Sequence, residues 1–300
     1  MAKAGDDWHI GVIGGSGLYE PGALEDAQEI AVKSAFGEPS GPVVTGRIGG
    51  RRFTFIARHG AGHRLSPSRV DYRANIDVLK RCGVTDVLAI SAIGSLREEF
   101  APGHFVVVDQ LIDRTSGLRE RSFFGDGIVA HVPLADPVCP RLSAMAAGAA
   151  DKAGATVHQG GTYVAIEGPQ FSTRAESLLY RDWGAHVIGM TAMPEARLAR
   201  EAELPYALVG MVTDYDCWRD AGADVEVAEI MRTMAANADN ARALLAELGA
   251  ALPAEREASP IDTVLDAAIV TPRDAWPVAA SARLDAVAGR LVGLLGEGKA

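Results

Sequence analysis

One device recurs along this chain and limits what it can fold into. A short apolar run stops abruptly at polar residues, and after several of these runs a segment with helical spacing follows. The runs are 10–13 (IGVI), 52–57 (RFTFIA), 84–93 (VTDVLAISAI), 162–167 (TYVAIE), 186–190 (HVIGM) and 207–212 (ALVGMV). Fully buried strands read as continuous apolar runs of this length. Between them lie helical patterns at 72–82, at 140–152, from Arg174, from Pro194 and at 225–248. Strands alternating with helices predict an α/β layer fold. The polar residues that close the runs are Ser16, Arg58 with His59, Ser91, Glu167, Thr191, and Asp214 with Asp216. In open α/β sheets ligands bind beyond the carboxyl ends of the strands. Six repeats of the same placement therefore predict a ligand site along one sheet edge.

The sharpest of these endings is 206–218, YALVGMVTDYDCW. Two carboxylates two residues apart share a side if the segment stays extended. Charged groups are seldom fully buried unless paired, so a pocket with hydrogen-bonding groups is expected there. Local capping signals sharpen the helix starts. Thr173 with Glu176 forms a capping box ahead of a helix near Arg174, and Ser95 with Glu98 matches the same pattern. Residues 116–138 lack periodicity and read as an excursion or interface loop that carries His131. Residues 263–271 and 280–295 read as terminal helical or strand pieces. The whole, 1–300, is expected to be one domain, with 250–300 a C-terminal helical extension.

Composition narrows the function classes. At 300 residues the chain can bury a large core, with 48% hydrophobic and 23% charged residues. A formal net charge of −10 argues against a general nucleic-acid binder but permits a local cationic cleft. Three scattered cysteines (Cys82, Cys139, Cys217) lack metal spacing and fit a reducing compartment. No run reaches the ~18 apolar residues of a membrane span, and acids occupy the N-terminus where a signal peptide needs an apolar core. A cytoplasmic enzyme is expected. The turn Gly14-Gly15-Ser16-Gly17 can hold an anion on backbone N–H groups, but its spacing is not a dinucleotide fingerprint.

Sorted by chemistry, the strand endings form two groups. Ser16, Arg58, His59, Thr191 and backbone N–H groups near Ala92 are donors that suit phosphate. Asp214 and Asp216 are acceptors that suit a base bearing N–H groups. Glu167, Met190 and Phe171 could lie between them along a sugar. Phosphate, ribose and base in a row is the arrangement needed for nucleoside phosphorolysis. That reaction builds positive charge on the sugar and negative charge on the departing base, so it needs an anionic nucleophile on one side and an acid on the other.

On these residues the chain resembles the S-methyl-5′-thioadenosine phosphorylase branch of the trimeric purine nucleoside phosphorylase family. The segments that carry the resemblance are IGVIGGSGL, ARHGAGHRLSPSRVDYRANI, SAIGSLREEFAPG, DQLIDRT, AHVPLADPVCP, IEGPQFSTRAES, GMTAMPEARLAREA and TDYDCW, in order from Ile10 to Trp218. The resemblance implies a central mixed, twisted β-sheet flanked by helices. It implies phosphorolysis of 5′-methylthioadenosine to adenine and 5-methylthioribose 1-phosphate, with inorganic phosphate as co-substrate and no cofactor or metal. It implies phosphate binding by Ser16, Arg58, His59, Ser91, Ala92 and Thr191, and nucleoside contacts by Met190 and Phe171. Asp214 is implied at purine N7 and Asp216 at the 6-amino group. Relatives acting on 6-oxopurines are expected to carry asparagine at the first of these positions. The 5′ pocket and its specificity fall to Ser172, Val227, Ile230 and Met231, with His131 reaching in from a neighbour in a homotrimer or hexamer. The nearest alternative is a phosphorylase preferring methylthioinosine or ordinary purine nucleosides. The alternative from another class is a non-catalytic nucleotide-binding protein built on the glycine turn.

Overall fold

The computed structural model describes residues 7–15, 18, 24–219 and 227–293, and for 227–230 only the course of the backbone. Its strands are β1 His9–Gly14, β2 Glu25–Ile30, β3 Val43–Ile48, β4 Arg51–Ala57, β5 Asp86–Ser95, β6 Phe105–Val107, β7 Gln110–Arg114, β8 Val157–Gln159, β9 Thr162–Ile166, β10 Val187–Gly189 and β11 Tyr206–Asp214. They form one mixed sheet of 11 strands in the order β2-β3-β4-β1-β5-β10-β9-β7, from which β11, β6 and β8 branch. The helices are α1 Tyr72–Arg81, α2 Pro140–Lys152, α3 Arg174–Asp182, α4 Ala192–Glu201, α5 Val227–Ala251, α6 Val278–Arg283 and α7 Gly289–Val292.

The branch point is β5. It runs parallel to β1 over Asp86–Ala89 and parallel to β11 over Val87–Gly94. Its end, Gly94–Ser95, also pairs antiparallel with β10. Strands β10 and β11 thus diverge from the same end of β5, and the sheet opens between them. The strands that meet there are apolar on both faces because helices cover both. Ile76 and Leu79 of α1 and Leu198 of α4 join one core cluster, and Leu142 of α2 and Leu244 of α5 join another. Residues 265–291 close the first cluster, burying Leu265, Trp276, Leu284 and Leu291 in it, while Leu252 and Ile261 join the second.

Several sequence expectations change. Residues 95–98 start no helix. Ser95 ends β5, and its hydroxyl donates back to the Arg97 carbonyl at 2.7 Å, so the capping pattern serves a turn. The other box is real: Thr173 accepts from Glu176 N–H and Glu176 reaches back to the Thr173 N–H. Strands β2, β3, β7 and β8 carry no continuous apolar run. β2 (EDAQEI) is exposed along its whole length, and charges on an edge strand block edge-to-edge pairing. Nor does extended geometry hold from Asp214 to Asp216. β11 ends at Asp214, and Asp216 sits at φ 46° at the start of a short turn, 216–218.

Candidate active site

The strand ends enclose a cavity of about 610 Å³. Gly15 follows β1 into its wall, Arg58 and His59 follow β4, and Ser91, Ala92, Ile93 and Gly94 come from β5. Gly189, Met190 and Thr191 come from the end of β10, and Met211, Thr213 and Asp214 from β11, with Asp216 beyond. Phe171 and Ser172 enter from the loop before α3, and Met234 and Ala238 from α5. The residues 63–67 form a further wall.

At one end Arg58 is buried to 2% exposure. Its Nε and Nη2 donate to the two oxygens of Glu195 at 2.7 and 2.9 Å, Nη2 also donates to the Ile13 carbonyl, and Nη1 donates to the Ile90 carbonyl at 3.3 Å. A guanidinium has five N–H groups, so one on Nη1 is left for a ligand. Burial works against the Arg58 charge, but Glu195 more than offsets it and holds the cation firmly protonated. Beside it, His59 Nδ1 lies 2.8 Å from the Leu65 carbonyl. A carbonyl can only accept, so the proton is on Nδ1. Burial and the neighbouring Arg58 push the ring down to about 4. His59 is therefore neutral at pH 7, and its remaining nitrogen is an acceptor. This corrects its placement among the donors: it suits a protonated oxygen of the anion. The hydroxyls of Ser91 and Thr191 meet at 3.2 Å. Thr191 makes no helix-cap bond, because Met193 (φ −119°, ψ 133°) interrupts the first turn of α4, and its hydroxyl, shared with Ser91, lines the cavity.

At the other end, Asp214 Oδ1 accepts from Asp216 N–H at 2.8 Å and Oδ2 from the Thr213 hydroxyl at 2.7 Å. Alternation along β11 would bring Met211 and Thr213 to one face. A register shift between Val212 and Asp214 adds the carboxylate to the same wall. Gly94 permits the approach, since a Cβ there would sit 3.1 Å from Asp214 Oδ1 and 3.0 Å from Ile188. Asp216 is buried, with Oδ2 unpartnered. Burial, with Asp214 alongside, raises its carboxyl above the usual range. The turn that carries it is pinned by Trp218, whose Nε1 donates to the Ser95 carbonyl at 2.7 Å under the Arg181 guanidinium, 3.6 Å above the ring.

One cavity thus brings together Arg58, His59, Ser91, Ala92, Thr191, Met190, Phe171, Ser172, Asp214 and Asp216. Ser16 lies outside the described residues, as do the side chains of Val227 and Ile230. Met231 is 58% exposed and does not line the cavity. Met234 and Ala238, one and two turns further along α5, do. His131 stays out of its own chain's cavity; it is exposed, and its N–H donates to the Ala268 carbonyl. Glu167 also turns away. It is held by Ser68, by the Ser116 N–H at 2.8 Å and by Arg119 at 3.0 Å.

Two supporting residues escaped the sequence reading. Glu195 sits inside a helix and shows no polarity signal beyond its position one residue after Pro194. Arg119 lies in the aperiodic segment 116–138. Its side chain, 1% exposed, donates to the carbonyls of Glu167, Met190 and Met193 at 2.6–2.7 Å, tying β9 to the end of β10. Nothing in composition marks either one, because their partners are carbonyls and a distant arginine.

Residues 9–249 match the phosphorylase superfamily. The chain is 57% identical over 285 residues to an S-methyl-5′-thioadenosine phosphorylase of Cereibacter sphaeroides, covering 94% of this chain and 98% of that one. It is 54% identical over 285 residues to the enzyme of the same name from Bradyrhizobium diazoefficiens, with the same coverage. Among solved structures, a methylthioadenosine phosphorylase from an antarctic soil metagenomic library superposes with a TM-score of 0.89 at 45% identity, covering 94% of this chain and 99% of that one. The methylthioadenosine phosphorylase of Schistosoma mansoni, solved with adenine, superposes at 0.77 with 37% identity, covering 81% and 91%. The chain belongs to the phosphorylase superfamily, and within it to the S-methyl-5′-thioadenosine phosphorylases.

Proposed function

We infer that this protein is a pentosyltransferase that cleaves 5′-methylthioadenosine with inorganic phosphate, releasing adenine and 5-methylthioribose 1-phosphate. The observation that carries this is a single cavity with anion donors at one end and a carboxylate pair at the other. Phosphate sits against the free Arg58 N–H and the Ser91 and Thr191 hydroxyls, with the Ala92 backbone beside them. His59 accepts from its protonated oxygen. The nucleoside lies across Met190 and Phe171 with its anomeric carbon toward the phosphate.

As the N-glycosidic bond lengthens, the sugar gains positive charge and the phosphate oxygen closes on it. Electron density moves into the purine, and Asp214, as its acid, donates at N7. The unpartnered Oδ2 of Asp216 accepts from the 6-amino group. A 6-oxopurine would set an oxygen lone pair against it, so the wrong base leaves buried polar groups unpaired. Ser16 adds a hydroxyl to the phosphate end. Val227 and Ile230, with Ser172, set the preference for methylthio over hydroxyl, and His131 completes that pocket from a neighbouring subunit of a homotrimer. The reaction calls on no cofactor or metal. The three cysteines are free, which fits the cytoplasm. Among the described residues no helix is long and apolar enough to cross a membrane.

The test is a phosphate-dependent substrate panel. Adenine release from 5′-methylthioadenosine should require phosphate, and kcat/KM should fall in the order methylthioadenosine, adenosine, methylthioinosine, inosine. Release indifferent to phosphate marks a hydrolase, and a 6-oxopurine at the head of the order reverses the base assignment.

A further inference from the structure

The phosphate end poses a charge problem. Its conspicuous cation, Arg58, is already neutralised by the bidentate contact with buried Glu195. Its histidine, His59, gives its only proton to the Leu65 carbonyl. The remaining donors named so far are hydroxyls and backbone N–H groups, yet inorganic phosphate carries at least one full negative charge at neutral pH. An attraction that reaches into solvent needs an uncompensated charge.

Such a charge lines the same cavity. Arg64 is exposed, faces the cavity, and among the described residues takes part in no hydrogen bond or ion pair. The loop that carries it folds back on the end of β4. Gly60 and Gly62 have φ near 70° and His63 has φ 56°, a conformation that non-glycine residues seldom adopt. His63 N–H donates to the Gly60 carbonyl at 3.2 Å and Leu65 N–H to the His59 carbonyl at 3.0 Å. The His63 ring then stacks on His59 with centroids 4.2 Å apart. A Cβ on Gly60 would stand 3.2 Å from Arg64 Nε, so the arginine stem lies across Gly60, next to His59.

We propose that Arg64 is a further phosphate-binding residue of this enzyme, the solvent-facing cation that draws the anion in and holds it against His59 and the free N–H of Arg58. This rests on the phosphorolytic reading above. An exposed charge at a cleft mouth acts chiefly on capture and on its salt dependence, so its loss falls on phosphate rather than on nucleoside.

The experiment varies inorganic phosphate and 5′-methylthioadenosine separately with purified wild type, Arg64→Gln and Arg64→Lys, at low ionic strength and at about 0.5 M salt, where screening is nearly complete. Arg64→Gln should raise the phosphate KM roughly fivefold at low salt while shifting the nucleoside KM less than about twofold. The gap between wild type and Arg64→Gln should close at high salt, and Arg64→Lys should stay near wild type. A phosphate KM unmoved in Arg64→Gln overturns the proposal. So does a defect shared equally by both substrates, or one that salt does not change, because either is what a packing fault produces. Wild-type adenine release indifferent to phosphate would instead overturn the phosphorolytic reading, and this assignment with it.

Discussion

At the scale of single residues, the site is a set of charges whose partners decide what they can do. Asp214 is held at both oxygens, which fixes the plane of its carboxylate. Asp214→Asn should cost about a hundredfold in kcat/KM for methylthioadenosine, the usual scale for a lost acid. The loss should be smaller for methylthioinosine, because an amide N–H₂ placed at N7 can also donate to the adjacent 6-oxo oxygen. An unchanged ratio between the two substrates would remove Asp214 as reader of the base. Glu195 does not line the cavity, yet Arg58 depends on it. Removing one partner of a buried pair leaves an uncompensated charge and typically costs about 3–5 kcal/mol. Glu195→Gln should lower stability by about that range in urea unfolding, and added phosphate should recover part of the loss by standing in as counter-ion. A midpoint equal to wild type without phosphate would show that the pair is dispensable.

At the scale of elements, what the sequence made legible was the buried half of the sheet. Strands β1, β4, β5, β9, β10 and β11 announce themselves because both faces are covered, so each is a continuous apolar run. β2 and β7 do not, since edge strands exposed to solvent read like loops. The site was legible for the same reason: a polar residue at the end of an apolar run is conspicuous. Arg119 and Glu195 were not, because their role comes from burial against distant carbonyls and charges that no local pattern records. Asp214 and Asp216 were found by an extended-strand argument, although a register shift and a tight turn are what bring them together. One strand contact also has a pH signature. His9 of β1 is 2% exposed, with Nε2 2.7 Å from the Thr54 hydroxyl of β4. Burial, aided by Arg52, pushes it down to about 4. A histidine that resists protonation when folded contributes fully above its unfolded value of about 6.5, and that contribution drains away as the pH falls toward 4. The drop amounts to about 3 kcal/mol at most. Chemical unfolding of His9→Gln at pH 4.5 and 7.5 should show a shallower acid loss than wild type; parallel losses would mean that His9 is not the group responsible.

At the scale of the whole molecule, one site residue must come from elsewhere or not serve at all. His131 is exposed and stands outside the cavity of its own chain, on a bridge that pairs Ala130 with Ile269. If the 5′ pocket is completed across a subunit boundary, each active site draws on two chains, and two inactive variants can repair each other. Asp214→Asn lacks the acid but still lends His131; His131→Ala keeps the acid but lends nothing. In a closed ring where every subunit lends to its neighbour, random co-assembly of equal amounts leaves about one site in four with both groups intact. Refolding the two variants together should therefore restore about a quarter of wild-type turnover of methylthioadenosine above the sum of the separate variants, provided His131→Ala alone is impaired. Adenosine, which has no thioether to place, should show a much smaller gain. A mixture that never exceeds the sum of its parts, in oligomers shown by mass to contain both chains, would confine the site to a single subunit and leave His131 without a part in it.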